Sequence, residues 1–339
     1  MDGILKRRLE QGPLLVAEGY LFEMERRGYV KAGPFVPEVV LDYPDALREL
    51  HREFLSAGSD VMVAFTYYAH RDKVKSVGRE RDLEKLNRQA LRIAGDVADE
   101  ANALVAGNIC NTWVYDPNNQ NTWKEVYEMY DEQVKWAKEE GADYIIAETL
   151  FYLGEAYIAL EIIKKHGLEA VITFAPFHSK TLDGWGFPEA CRALESEGAS
   201  VVGLNCGTGP WLMLDIIKKI QEKVSCKVAC LPVPYRTDEE YPNFQKLKTK
   251  SGEQAFPVLL DEHLLNRKET AEFAVKAKRM GVDYIGLCCG GAPHFIRAMA
   301  ESLGRRPQAS KYSPDMDNHA MLGKNAREHN IKYISDWKS

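Results

Sequence analysis

The sequence predicts a (β/α)8 barrel with a C-terminal extension, on three observations. Short Val/Ile/Leu/Ala runs recur along the chain, each about one strand long, as in a parallel sheet buried on both faces. Amphipathic stretches of helical period lie between them. A repeated joint closes those stretches: Gly58-Ser59-Asp60-Val61, Gly141-Ala142-Asp143-Tyr144, Gly198-Ala199-Ser200-Val201 and Gly281-Val282-Asp283-Tyr284. Glycine there fits the left-handed position that ends a helix before a strand begins.

Taken in order, the strands are expected at residues 13–18, 60–67, 104–110, 143–149, 170–176, 201–206, 227–234 and 284–289. Gly167 makes the joint before the fifth. Pro44 opens a helix that spaces Leu47, Leu50, Phe54 and Leu55 along one face. Thr122 and Glu125 have the spacing of a capping box. Pro188 opens a later helix, Asn266 caps the one carrying Ala271, Phe273, Ala274 and Ala277, and Pro293 suits the first turn of the last. A doubly wound open sheet is the competing architecture, but no glycine-rich dinucleotide fingerprint follows the first strand. The barrel is expected over residues 1–305, and residues 306–339 as an arm serving oligomerisation. Residues 235–262 are too long for an ordinary connection and are expected to form a lid or substrate wall.

Bulk properties narrow the function. A net charge of -6 and 45% hydrophobic content over 339 residues give no electrostatic case for nucleic acid or an anionic membrane. No apolar run approaches the roughly 20 residues of a bilayer span. The start of the chain lacks the features of a signal peptide, so a cytoplasmic protein is expected. Seven cysteines, an odd number, argue for free thiols over a disulfide framework. The eight histidines are scattered and are expected to be solvated or hydrogen-bonded.

Chemistry in such a barrel gathers at the C-terminal strand ends. Two runs end in cysteine there: Val201-Val202-Gly203-Leu204-Asn205-Cys206 and Tyr284-Ile285-Gly286-Leu287-Cys288-Cys289. Strands six and eight are one strand apart in a closed barrel, so three thiolates can converge on one zinc ion. That set leaves an open fourth position, the mark of a catalytic site. Buried structural cysteines are the alternative, and Cys110 is a rival ligand. Cys191, Cys226 and Cys230 read as buried packing.

The Gly-x-Asn-Cys and Gly-x-Cys-Cys-Gly elements resemble the homocysteine S-methyltransferase family. Residues 27–34, 50–55 and 65–69 look specifically like its betaine–homocysteine branch. The resemblance implies a zinc ion on Cys206, Cys288 and Cys289 that binds the homocysteine sulfur, and a methyl group taken from a small onium donor. It implies that Glu148 binds the homocysteine amino group and that Tyr68 is an aromatic contact to the donor, these two being the catalytic candidates. Glu18 and Gly19 stand near the family's first-strand acid and glycines, with the acid displaced by one residue. Phe35 stands where betaine enzymes have tryptophan, and Thr149 where they have tyrosine. Trp113, Tyr115, Phe151 and Tyr152 are expected to supply replacement ring faces, Trp113 as a substrate contact. A sulfonium donor such as S-methylmethionine or dimethylsulfoniopropionate is the alternative to a betaine. Two further readings remain at this point: the homocysteine component of a multi-protein methyl-transfer system, and a non-enzymatic barrel with structural zinc.

Overall fold

The computed structural model describes residues 3–332. Its eight strands are β1 (Leu14–Ala17), β2 (Val61–Val63), β3 (Leu104–Cys110), β4 (Tyr144–Leu150), β5 (Glu169–Phe174), β6 (Val201–Asn205), β7 (Lys227–Leu231) and β8 (Tyr284–Leu287). They pair in chain order, and β1 pairs in parallel with β8 from Leu14↔Tyr284 to Ala17↔Leu287. That closure excludes the open sheet. Helices Pro44–Ala57, Leu83–Asp99, Gln120–Glu139, Leu153–Lys165, Phe187–Ser196, Pro210–Gln221, Arg267–Arg279 and Pro293–Ser302 follow β1 to β8 in turn.

The glycine joints sit where the pattern places them. Gly58, Gly141, Gly167, Gly198 and Gly281 have φ between 71° and 104°, the left-handed region that costs glycine least. The aspartate two residues on does a second job. Oδ2 of Asp60 accepts from the Leu15 amide at 2.7 Å, Asp143 from Val105 at 2.8 Å and Asp283 from Val228 at 3.2 Å. These three joints therefore each end a helix, start a strand and satisfy an amide of the neighbouring strand.

Most strand ends shift by one or two residues from the sequence pattern, β8 stopping at Leu287 before the two cysteines, and three boundary shifts have a visible local cause. β2 stops at Val63 instead of residue 67, because the chain turns: the Thr66 amide bonds to Ala64 O at 2.8 Å and its hydroxyl donates to Asn108 O at 2.6 Å. β7 stops at Leu231, since Pro232 and Pro234 offer no N–H to the ladder. The helix expected to cap at Thr122 starts earlier, on Asn119, whose side chain accepts from the Asn121 amide at 3.1 Å. Asn266 does cap its helix, in a capping box with Glu269.

Inside the barrel the buried hydroxyls of Tyr144 and Tyr284 satisfy each other at 2.8 Å. Beyond Ser302 the chain forms short turns at Gln308–Tyr312 and Met316–Asn318 and a helix at Glu328–Ile331. The first turn packs on Pro44–Ala57 and Pro293–Ser302, while Tyr312, Met316, Leu322 and Ile331 are exposed. Residues 333–339 of the expected arm lie outside the described residues. No helix among the described residues is long and apolar enough to cross a membrane.

Candidate functional site

Among the described residues, five of the six non-glycine residues with left-handed backbone lie at the strand-end mouth: Phe35, Tyr68, Trp113, Thr149 and Cys206, at φ from 53° to 60°. The conformation is costly for side chains with a Cβ, and its clustering marks a built site. All five line one cavity of about 280 Å³.

The sulfurs of Cys206, Cys288 and Cys289 lie within 4.8 Å of one another at the floor of this mouth. The sulfurs of Cys288 and Cys289 are 4.0 Å apart. Tetrahedral Zn–S bonds of about 2.3 Å need sulfur separations of roughly 3.8 Å, so the donor set fits a soft metal ion with small adjustments. Hydrogen bonds from the thiols of Cys288 and Cys289 draw Cys206 down to about 5, and the same bonds to Cys206 hold both partners well above the ordinary thiol value. Cys110 stands apart from the cluster, its sulfur accepting from the Tyr68 amide at 3.2 Å.

Beside the sulfurs lies a second, smaller cavity lined by Glu18, Asn108, Glu148 and Cys288. Glu148 is buried; its Oε1 accepts from Asn108 Nδ2 at 2.5 Å and its Oε2 from Asn205 Nδ2 at 2.7 Å. Both carboxylate oxygens of Glu18 are buried without a hydrogen-bond partner. Burial, then the charges of Glu148 and Cys288, raises the pKa of Glu18 well above its ordinary value. Burial and the Cys288 charge push Glu148 up to about 8. Two buried acids with no cationic side chain between them suit a substrate that brings a positive charge.

The larger cavity is aromatic. Phe22, Phe35, Tyr67, Tyr68, Trp113 and Phe151 line it together with Phe177, Phe244 and Phe256. Phe244 and Phe256 come from residues 235–262, so that loop supplies a wall. One face of Tyr68 is already taken by Lys73, whose Nζ lies 4.6 Å from the ring centre.

The structure thus brings together Glu18, Glu148, Cys206, Cys288 and Cys289 around the sulfurs, and Phe35, Tyr68, Trp113 and Thr149 in the adjoining cavity. Gly19 packs on Gly291, whose carbonyl oxygen would lie 1.8 Å from a Cβ there. Two expectations fail. Tyr115 and Tyr152 pack against each other with ring centres 5.2 Å apart and leave the cavity to Trp113 and Phe151. His51 and His70 are buried with both ring nitrogens unpartnered, not solvated. Two residues were missed, Asn108 and Asn205. Asn205 ties Glu148 to the Thr149 amide, which donates to its Oδ1 at 2.8 Å. Their position at the ends of β3 and β6 was the available signal.

Comparisons with known proteins follow this geometry. The family model described as homocysteine S-methyltransferase matches residues 2–303. Betaine–homocysteine S-methyltransferase 1 of Mus musculus is 34% identical, over 98% of this chain and 82% of that protein. S-methylmethionine–homocysteine S-methyltransferase of Rattus norvegicus is 32% identical, over 98% of this chain and 89% of that protein. Among solved structures, the homocysteine methyltransferase MmuM from Escherichia coli in its metallated form superposes with a TM-score of 0.69 at 18% identity, covering 88% of this chain and 99% of that one.

Proposed function

The chain belongs to the homocysteine S-methyltransferase family, and from that premise we propose how its own residues methylate the homocysteine sulfur and which donor class they accept. The observation that carries the reading is the junction of the two cavities. Leu21, Tyr67 and Cys289 line both, so the acid-lined cavity and the ring-lined one meet beside the cysteine sulfurs. An acceptor amino group in the first and an onium group in the second would bring a thiolate and a methyl carbon face to face.

Cys206, Cys288 and Cys289 would hold zinc. When bound, zinc lowers the pKa of an incoming thiol and fixes its sulfur. The chain supplies the rest. Glu148 and Glu18 take the homocysteine ammonium, whose donors suit the unpartnered oxygens of Glu18. Asn108 and Asn205 hold the Glu148 carboxylate in place.

The aromatic faces bind the onium by cation–π attraction and exclude water. The new S–CH3 bond forms as the methyl–nitrogen or methyl–sulfur bond breaks, and its electron pair leaves on a neutral amine or sulfide. Opposite charges are consumed in that step, so the apolar cavity keeps their attraction strong. No general acid is needed at the leaving group.

Replacement of two ring positions by Phe35 and Thr149 favours a second reading, a sulfonium donor. Thr149 spends its hydroxyl on Asn205 and Glu148, not on the donor. The test is a donor screen on zinc-loaded protein with homocysteine, comparing glycine betaine, S-methylmethionine and dimethylsulfoniopropionate by methionine formed. Turnover with an onium supports the reading, and failure with all three overturns it.

A further inference from the structure

One buried carboxyl has no task in this scheme. Glu155 lies in the first turn of Leu153–Lys165 and is 1% exposed. A single oxygen, Oε1, accepts from the Thr112 amide at 2.9 Å, the Thr112 hydroxyl at 2.7 Å and the Tyr130 hydroxyl at 3.1 Å. Burying a carboxyl is expensive, and a leucine would fill the same space at less cost. What the bonds hold is the turn that follows β3.

Trp113 sits in that turn at φ 60°, with its neighbours gripped on both sides. Thr112 is held by Glu155, and Thr112 Oγ1 accepts from the Val114 amide at 3.2 Å. Trp113 itself is 60% exposed, so packing alone does not fix it. Its indole Nε1 nevertheless donates to the Tyr68 hydroxyl at 2.6 Å, and its ring lies 5.1 Å from Phe151. Tyr130 extends the clamp to the other member of the pair. Its hydroxyl lies 2.9 Å from Cys110 O, and the Cys110 sulfur takes the Tyr68 amide.

We propose that Glu155 is a positioning residue for the onium cavity: it sets the Thr112–Val114 turn and the end of β3 so that Trp113 and Tyr68 meet over the cavity. The proposal rests on the reading of that cavity as the donor site. Glu155 touches no substrate, and its influence passes through Trp113. Glutamine keeps the accepting oxygen, whereas alanine leaves the Thr112 amide and hydroxyl without a partner and lets Trp113 relax out of its left-handed conformation.

The test is calorimetric titration of the zinc-loaded, homocysteine-saturated protein with tetramethylammonium chloride. Glu155→Ala is expected to weaken binding about tenfold and Glu155→Gln less than about threefold, with homocysteine affinity unchanged in both. In a Trp113→Phe background, Glu155→Ala is expected to add less than about twofold, since the route through the indole is gone. Should the alanine variant fail to fold, Thr112→Val removes at constant size both the shorter bond to Glu155 and the acceptor of the Val114 amide, and is expected to weaken the same titration about threefold. Wild-type affinity in Glu155→Ala (or in Thr112→Val where it stands in), equal loss of homocysteine and tetramethylammonium affinity, or full additivity with Trp113→Phe overturns the proposal alone. A wild type that does not bind the probe overturns the donor-site reading and this proposal with it.

Discussion

Asn205 donates to Oε2 of Glu148 at 2.7 Å, and the same amide nitrogen stands 3.7 Å from the sulfur of Cys288. One residue at the end of β6 thus fixes the carboxylate expected to take the amino group while touching the cluster that meets the sulfur. Thr173 completes its anchoring by donating to Asn205 Oδ1 at 2.9 Å. The Glu148 carboxylate and the cysteine cluster are therefore bridged by one anchored side chain at the end of a strand.

Glu148→Ala should weaken homocysteine binding far more than donor binding. Asn205→Ala should do the same to a lesser degree, because it frees the carboxylate without removing it. A hydrogen bond to a charged group is worth about 1.5–3 kcal/mol, so the Asn205 variant is expected to lose roughly tenfold to a hundredfold in homocysteine affinity. Separate titrations of homocysteine and of the donor check the split; equal losses of both ligands would count against it.

Cys288→Ala should abolish stoichiometric zinc binding and turnover together, since two sulfurs remain where three converge. Cys110→Ala is the control and should keep its zinc, because that sulfur faces the Tyr68 amide. Metal analysis of both purified variants decides the ligand assignment. Full zinc in the Cys288 variant would be incompatible with it.

The barrel was legible because its signals are local. A glycine that ends a helix and an apolar run that follows it need only a few neighbouring residues, and Gly58, Gly141, Gly198 and Gly281 all behave that way. The three sulfurs were legible for a related reason: they end two runs that the closed barrel places one strand apart at the same mouth. The aromatic cavity was not. Phe177 arrives from the loop after β5 and Phe244 and Phe256 from the long loop after β7, and no short-range pattern announces that they share a cavity with Phe22 and Trp113. Nor does sequence mark a tryptophan or threonine held at positive φ, since that conformation is imposed by tertiary bonds such as those of Glu155 and Asn205. The cap at Asn119 shows a milder failure, in which two plausible local signals compete and the earlier one prevails.

Phe244→Leu should raise the donor KM while leaving the homocysteine KM within about twofold of wild type. Phe244 lines the cavity and stacks on Tyr235 at a centroid distance of 5.7 Å, so leucine keeps the volume and loses the π face. A cation–π contact of about 0.5–2 kcal/mol corresponds to roughly a twofold to thirtyfold rise. Steady-state kinetics with each substrate varied in turn would show it, and an unchanged donor KM would remove Phe244 from the donor contacts.

His51 should make the fold sensitive to mild acid. It is fully buried, its ring centre lies 4.6 Å from that of Tyr20, and neither ring nitrogen has a partner. Burial, helped by the charge of Arg48, lowers its pKa from 6.5 to about 3. The unfolded chain therefore binds a proton below pH 6.5 that the folded chain refuses, and stability rises with pH between about 3 and 6.5. Above that window the contribution is constant; below 6.5 it falls by about 1.4 kcal/mol per pH unit, or about 2 kcal/mol by pH 5. His51→Leu removes the titrating group and keeps an apolar side chain in the same space. Carboxylates that titrate in the acid range act on both chains alike, so the difference between the two urea-unfolding profiles isolates this histidine. The wild-type profile should fall more steeply than that of the variant from pH 6.5 to 5. Parallel profiles would mean that the imidazole finds a partner or water in the folded state.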